Sequence, residues 1–229
     1  MTTSQETVLN SSAARLWQSF VLGALWLGFV TYAFFLSPPS TPETLDTIRQ
    51  LSTGHWTMLN PMVVVLFNLM GLWPVVYAVL ALTDGREQAI PAWPFVVGSF
   101  ALGAFALLPY LVFRKATHHL PYSPPNTALL KGLNHRLVGV GIVTASLILM
   151  AYGILLGDGA RTFQDFYGQF LTSQFIHVMS LDFCMLTLLT PSLLWDDIAR
   201  RQLSALWRAL SLIPLLGPGL YLMLRPANP

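Results

Sequence analysis

Charge is what this chain has least of. Asp, Glu, Lys and Arg make up 10% of its 229 residues, against about a quarter in soluble domains, and they nearly cancel at a net charge of +2. With 54% apolar residues and a mean hydropathy of +0.59, the shortage excludes an ordinary soluble domain and points to an integral membrane protein in contact with a lipid bilayer. No basic run is interleaved with aromatics, so nucleic acid is not expected as a partner. The single cysteine, Cys184, can form no internal disulfide and has no companion for a redox or zinc motif; it reads as a small buried core residue. No serine-histidine-acid set, phosphate loop or zinc signature occurs, so neither catalytic residues nor a metal site are assigned and a non-enzymatic protein is expected.

What is there is apolar length. Stretches 16–36, 61–82, 94–113, 137–157, 174–194 and 206–224 each approach the roughly 20 residues that cross a bilayer core of about 30 Å as a helix. The first is too long for a signal core and is followed by Ser37-Pro38-Pro39 rather than small residues, which predicts a retained span. The sequence therefore predicts an all-α integral membrane protein with six transmembrane helices. It divides into a polar tail (1–15), a first three-helix half (16–115), a linker (116–136) rich in proline and polar residues, and a second three-helix half (137–226).

The halves share a plan. A span is followed by a capping pattern, Ser40-Thr41-Pro42-Glu43 or Thr162-Phe163-Gln164-Asp165, and then by apolar residues on one helical face. Next comes a span with one strongly polar residue, Asn68 or Asp182, and a charged turn, Asp84-Gly85-Arg86 or Asp196 to Arg201. A proline-containing span closes each half with a basic residue, Arg114 or Arg225. Three spans per half is an odd number, so a shared plan requires opposite orientations: a 3+3 inverted repeat, as in many secondary transporters. Counting Lys and Arg by loop puts eight on the side of loops one, three and five and four on the other, which predicts those loops in the cytoplasm and both termini outside it.

Asp182 is the most informative residue. An acid about eight residues, roughly 12 Å, inside an apolar helix is costly there and needs a partner or a proton. Its neighbours on the same face, Val178, Met179, Met185 and Leu186, are apolar, so the partner must come from another helix. It reads either as a coupling acid on a transport pathway with Asn68 or as an interhelical strut. His177 reads as an interfacial histidine. His118-His119 lack ligand companions and read as solvated loop. Asp196 and Asp197 with Arg200 and Arg201 read as a self-neutralising turn.

Two resemblances follow from these residues. Asp165-Phe166-Tyr167-Gly168-Gln169-Phe170, Leu181-Asp182-Phe183, the 197–201 turn and the closing Pro218-Gly219-Leu220-Tyr221-Leu222-Met223-Leu224-Arg225 resemble a family of small bacterial three-helix membrane proteins of unknown function. Phe67 to Pro74, with Ile90 to Phe95, resembles uncharacterised polytopic membrane proteins of cyanobacteria and plastids. The resemblance implies a thylakoid or plasma membrane rather than a reaction, and for His177 the alternative of an axial ligand to a chlorophyll magnesium. The expectation is an accessory or assembly factor for membrane complexes in a photosynthetic-type membrane, with other membrane proteins as partners. A small secondary transporter and a chlorophyll-binding subunit are the alternatives.

Overall fold

The computed structural model describes residues 2–117 and 119–226, with side chains from Leu16 onward; the reading of His118 falls outside them. Among the described residues there are helices and no strand. They are α1 (Thr2–Thr31, continued by a π-helical turn, Tyr32–Leu36), α2 (Thr44–Thr53), α3 (Pro61–Asp84), α4 (Trp93–Leu102), α5 (Ala104–Phe113), α6 (Ala128–Leu133), α7 (Arg136–Leu156), α8 (Gly159–Thr172), α9 (Gln174–Arg200), a 3₁₀ segment (Ala205–Leu212) and α10 (Leu216–Leu224). The tail read as polar is thus the start of α1.

Four of these helices are long and apolar enough to cross a membrane: Leu16–Leu36, Pro61–Glu87, Arg136–Leu156 and Gln174–Arg200. The third and sixth apolar stretches are not spans. Trp93 to Phe113 is two ten-residue helices joined at Gly103, whose φ of 53° and ψ of −128° lie in a region open chiefly to glycine. The arms fold back on one another. Phe95 near the start of α4 stacks on Tyr110 near the end of α5, with ring centroids 5.8 Å apart, and a Cβ on Gly98 would lie 3.1 Å from that of Ala106. The second hairpin repeats this. Trp207 in the 3₁₀ segment meets Tyr221 of α10 edge-on at 5.9 Å, and the chain reverses at Leu215, φ 56°. Each ten-residue arm is about 15 Å long, half a bilayer core.

This reversal corrects the six-span, inverted-repeat expectation. With the third segment turning back, each half has two membrane-length helices, an even number, and two like halves would then share one orientation. Helices α3 and α9 do run parallel. Tie points succeed one another in the same order along both: Phe67 on Phe175, the Tyr77 hydroxyl on the Leu186 carbonyl at 2.6 Å, and Asp84 joined to Asp196 through Arg114. An inverted repeat would have set them antiparallel.

These two central helices carry most of the core. Trp73, Val76 and Tyr77 of α3 pack with Leu186, Leu193 and Leu194 of α9 and with Leu107, Tyr110 and Tyr221 of the hairpins. Helices α1 and α7 lie outside, with 11% and 17% of their most apolar stretches buried, as expected of apolar surfaces turned towards lipid. The capping expectations fail locally. Glu43, not Ser40 or Thr41, precedes α2 and makes no side-chain cap, and α8 begins at Gly159, leaving Thr162 inside its first turn, where its hydroxyl accepts the Asp158 N–H.

Loop one and loop three now lie at opposite ends, so the eight-to-four grouping of cations does not hold. Among the described residues, Arg49 of α2 and Arg161 of α8 are the only cations at the end where α3 and α9 begin. Arg86, Arg114, Lys115, Lys131, Arg136, Arg200, Arg201, Arg208 and Arg225 gather at the end where they finish.

Candidate functional site

A hairpin that reaches halfway leaves space beyond its tip. Past Gly103, between α1, α3 and α9, lies a cavity of about 610 Å³, within the range of small-molecule sites. Trp26, Phe34, Phe67, Phe105 and Phe175 form much of its wall, with Met70 and Met179. Phe34, Phe100 and Leu102, which border it, are also exposed on the outer surface, so its mouth faces outward between α1 and the hairpin tip. A second, apolar groove of about 520 Å³ runs between α1 and α9, lined by Gly28, Phe29, Tyr32, Leu181, Cys184 and Met185. Cys184 is exposed there, not buried as expected.

Asp182 meets the tip. Its Oδ1 accepts the Ala104 N–H, the first of α5, at 2.8 Å, so the partner does come from another helix, but it is backbone. The carboxylate takes the place that a Cβ on Gly103 would occupy, which explains glycine there a second time. Among the described residues Oδ2 has no hydrogen-bond partner and no Lys, Arg or His lines the cavity. The remaining polar side chains are committed elsewhere: Ser99 donates to the Val96 carbonyl, Gln174 donates to the Ala33 carbonyl and Ser37, and the Thr44 hydroxyl pairs with that of Thr41. The tip is anchored in turn by α1. Pro109 supplies no N–H for the Phe105 carbonyl four residues earlier, and the Trp26 indole donates to that carbonyl at 3.1 Å.

Two buried ionic clamps fasten the hairpins to the central helices, and they match residue for residue. Asp84 accepts from the Tyr110 hydroxyl at 2.6 Å, from Arg114 Nε at 3.0 Å and from Gln88 four residues on. Asp197 accepts from the Tyr221 hydroxyl at 2.7 Å, from Arg225 at 2.6 Å and from Arg201 four residues on. Arg114 also binds Asp196, and the Thr117 hydroxyl joins Asp84. Burial alone would pull the Arg114 guanidinium down; hydrogen bonding and charge from Asp84, then Asp196, outweigh it and hold it above its usual range, so the clamp keeps its charge at any physiological pH. The turn at 196–201 is therefore only partly self-neutralising. The pattern Tyr-Leu-x-x-Arg at 110–114 and 221–225 is the sequence signal that could have revealed the pairing, and with it the equivalence of the two hairpins.

Asn68 and Asp182 are not brought together. Asn68 donates to the Val64 carbonyl of its own helix and is not among the residues lining the cavity. His177 is fully engaged: Nδ1 donates to the Phe170 carbonyl and Nε2 meets the Tyr32 hydroxyl, each at 2.8 Å, with the Phe170 ring stacked at 4.3 Å. No ring nitrogen is left for a magnesium ion, which removes the observation behind a pigment ligand. His177 instead pins the end of α1 to the start of α9. Among the described residues no group of three metal-ligating side chains occurs.

These features define an all-helical protein with four membrane-length helices, two half-length hairpins inserted from one end, and a single carboxylate at an apolar cavity. No family model, no curated protein and no solved structure matches the chain.

Proposed function

We propose that this chain is a multi-pass membrane protein that binds a hydrophobic small molecule in the cavity beyond the Gly103 tip, as a receptor or as a small carrier. The observation that carries the reading is that cavity itself: apolar and aromatic, bordered by outward-facing Phe34, Phe100 and Leu102, and holding one carboxylate. Ligand would arrive laterally from the bilayer through the mouth between α1 and the hairpin tip. The accessory-factor and pigment readings have no comparable internal feature behind them. The test uses Gly71, which lines the cavity and has open space around its missing side chain. In lipid nanodiscs the wild-type protein is expected to bind the neutral fluorophore N-phenyl-1-naphthylamine saturably, and Gly71→Leu, which fills the cavity, to weaken it at least fivefold. Equal binding by both proteins would sink the proposal.

The orientation belongs to the same reading. Cations gather at one end, and cytoplasmic loops are the basic ones, so both termini and the 114–136 linker face the cytoplasm while α2 and α8 lie outside. In a Cys184→Ala background, a cysteine at exposed Asn126 is expected to react with an impermeant maleimide only from the inner side, and one at exposed Ser52 only from the outer. The opposite pattern reverses the topology.

A further inference from the structure

The electrostatics of the hairpin tip specify the ligand further, and the argument rests on the binding reading above. Two helix poles meet at Gly103. The N-terminal pole of α5 is taken by Asp182 Oδ1. The C-terminal pole of α4 is not so used: in an unbroken helix the Ala104 N–H would bond the Phe100 carbonyl, but it turns to Asp182 instead. The last-turn carbonyls of Phe100, Ala101 and Leu102 thus lack intrahelical donors, and these three residues line the cavity. A helix pole is equivalent to roughly half an elementary charge, so the two poles oppose one another at the tip, and no cationic side chain among the described residues lining the cavity stands beside Asp182. Its Oδ2 has no partner among the described residues although Asp182 is only 4% exposed. Oxygen acceptors at the tip and the rings of Trp26, Phe67, Phe105 and Phe175 in the wall make an environment suited to a cation, because aromatic rings draw positive charge. An anion would meet the carboxylate, the α4 carbonyls and ring faces, all repulsive.

We infer that the cavity takes a lipophilic cation, an apolar body with a protonated or quaternary nitrogen or an equivalent onium centre, whose charge lies against Asp182 at the tip of the α4–α5 hairpin. The size matches an aromatic onium ion of a few rings rather than a long-chain lipid, because the hairpin tip closes one end and α3 and α9 close the back.

Equilibrium binding of tetraphenylphosphonium to the protein in nanodiscs, against empty nanodiscs, tests this, with tetraphenylborate as the anion of like shape. Saturable binding of the phosphonium is expected, no competition by the borate, and at least a tenfold loss in Asp182→Asn, which keeps the acceptor for Ala104 while removing the charge. The size-exclusion profile and circular-dichroism spectrum of Asp182→Asn should match those of the wild type, which separates loss of the charge from loss of the fold. Equal affinity for phosphonium and borate, or unchanged phosphonium binding by Asp182→Asn, overturns the inference. Loss of the phosphonium result with naphthylamine binding preserved, and still sensitive to Gly71→Leu, overturns the cation assignment alone; loss of both removes the binding site altogether.

Discussion

Replacing Arg114 by Ala is expected to destabilise the protein far more than replacing Arg225 by Ala, although the two arginines hold equivalent places in the two halves. Arg114 is the sole cation bonded to Asp84 among the described residues; the other partners of that carboxylate, Tyr110, Thr117 and Gln88, are neutral. Removing it leaves a buried charge uncompensated, a change that costs about 3–5 kcal/mol. Asp197, by contrast, keeps Arg201 at 3.0 Å and Arg200 at 3.6 Å when Arg225 is lost. For a chain of this size each kcal/mol moves the midpoint by roughly 2–4 °C. Arg114→Ala should therefore lower the midpoint in a detergent thermal-shift measurement by on the order of 10 °C, and Arg225→Ala by less than half as much. The double variant Asp84→Asn/Arg114→Gln should recover part of the loss, since hydrogen-bonding shape remains when both charges go. Equal losses in the two single variants would mean that the clamps are not the energetic asymmetry described.

Gly217→Val should prevent the protein from accumulating. Gly217 opens α10 where the second hairpin turns, and a Cβ there would collide with the Leu210 carbonyl oxygen of the facing arm. Backbone cannot yield as a flexible side-chain tip does, so the cost lies at or beyond the upper end of the roughly 1–3 kcal/mol usual for overpacking. The displaced arm would carry Trp207 away from Tyr221, and Tyr221 from Asp197. Gly168→Ala provides the contrast. Gly168 lies inside α8 with open space around it, so the alanine should be neutral or stabilising by up to about 1 kcal/mol through helix propensity. Size-exclusion profiles of fluorescent-protein fusions would read both. A monodisperse Gly217→Val protein at wild-type yield would show that the hairpin is not packed as described.

The proposed ligand and the clamps divide the molecule into parts with different duties. The clamps lie at the ends of α3 and α9, where Asp84 and Asp197 are 1% and 2% exposed, and they fix how deep each hairpin sits. That depth places Gly103 beside Asp182 and so determines the cavity. A lesion in the Asp84 clamp should reach the ligand site through the hairpin, whereas Asp182→Asn should leave the clamps untouched.

Composition alone determined that the chain is helical and apolar enough for a membrane, because a 10% share of charge cannot coat a soluble surface. The sequence also located the four membrane-length helices and singled out Asp182, since an acid stands out in an apolar helix however the chain folds. It also displayed the ordered recurrence of polar residue, charged segment, proline-containing stretch and arginine in the two halves. Relative orientation was decided only in three dimensions. A stretch such as 94–113 is apolar on all sides, so periodicity does not distinguish one crossing of 20 residues from two half-crossings of ten; the reversal rests on the backbone at Gly103 and on the Phe95–Tyr110 contact. That one turn left two membrane-length helices per half instead of three, with α3 and α9 parallel, and gathered most of the cations at one end. The partners of Asp84, Asp182 and Asp197 were likewise beyond linear reading, because each is bonded to residues 24 to 78 positions away, brought together only when a half-length hairpin packs against a full-length helix.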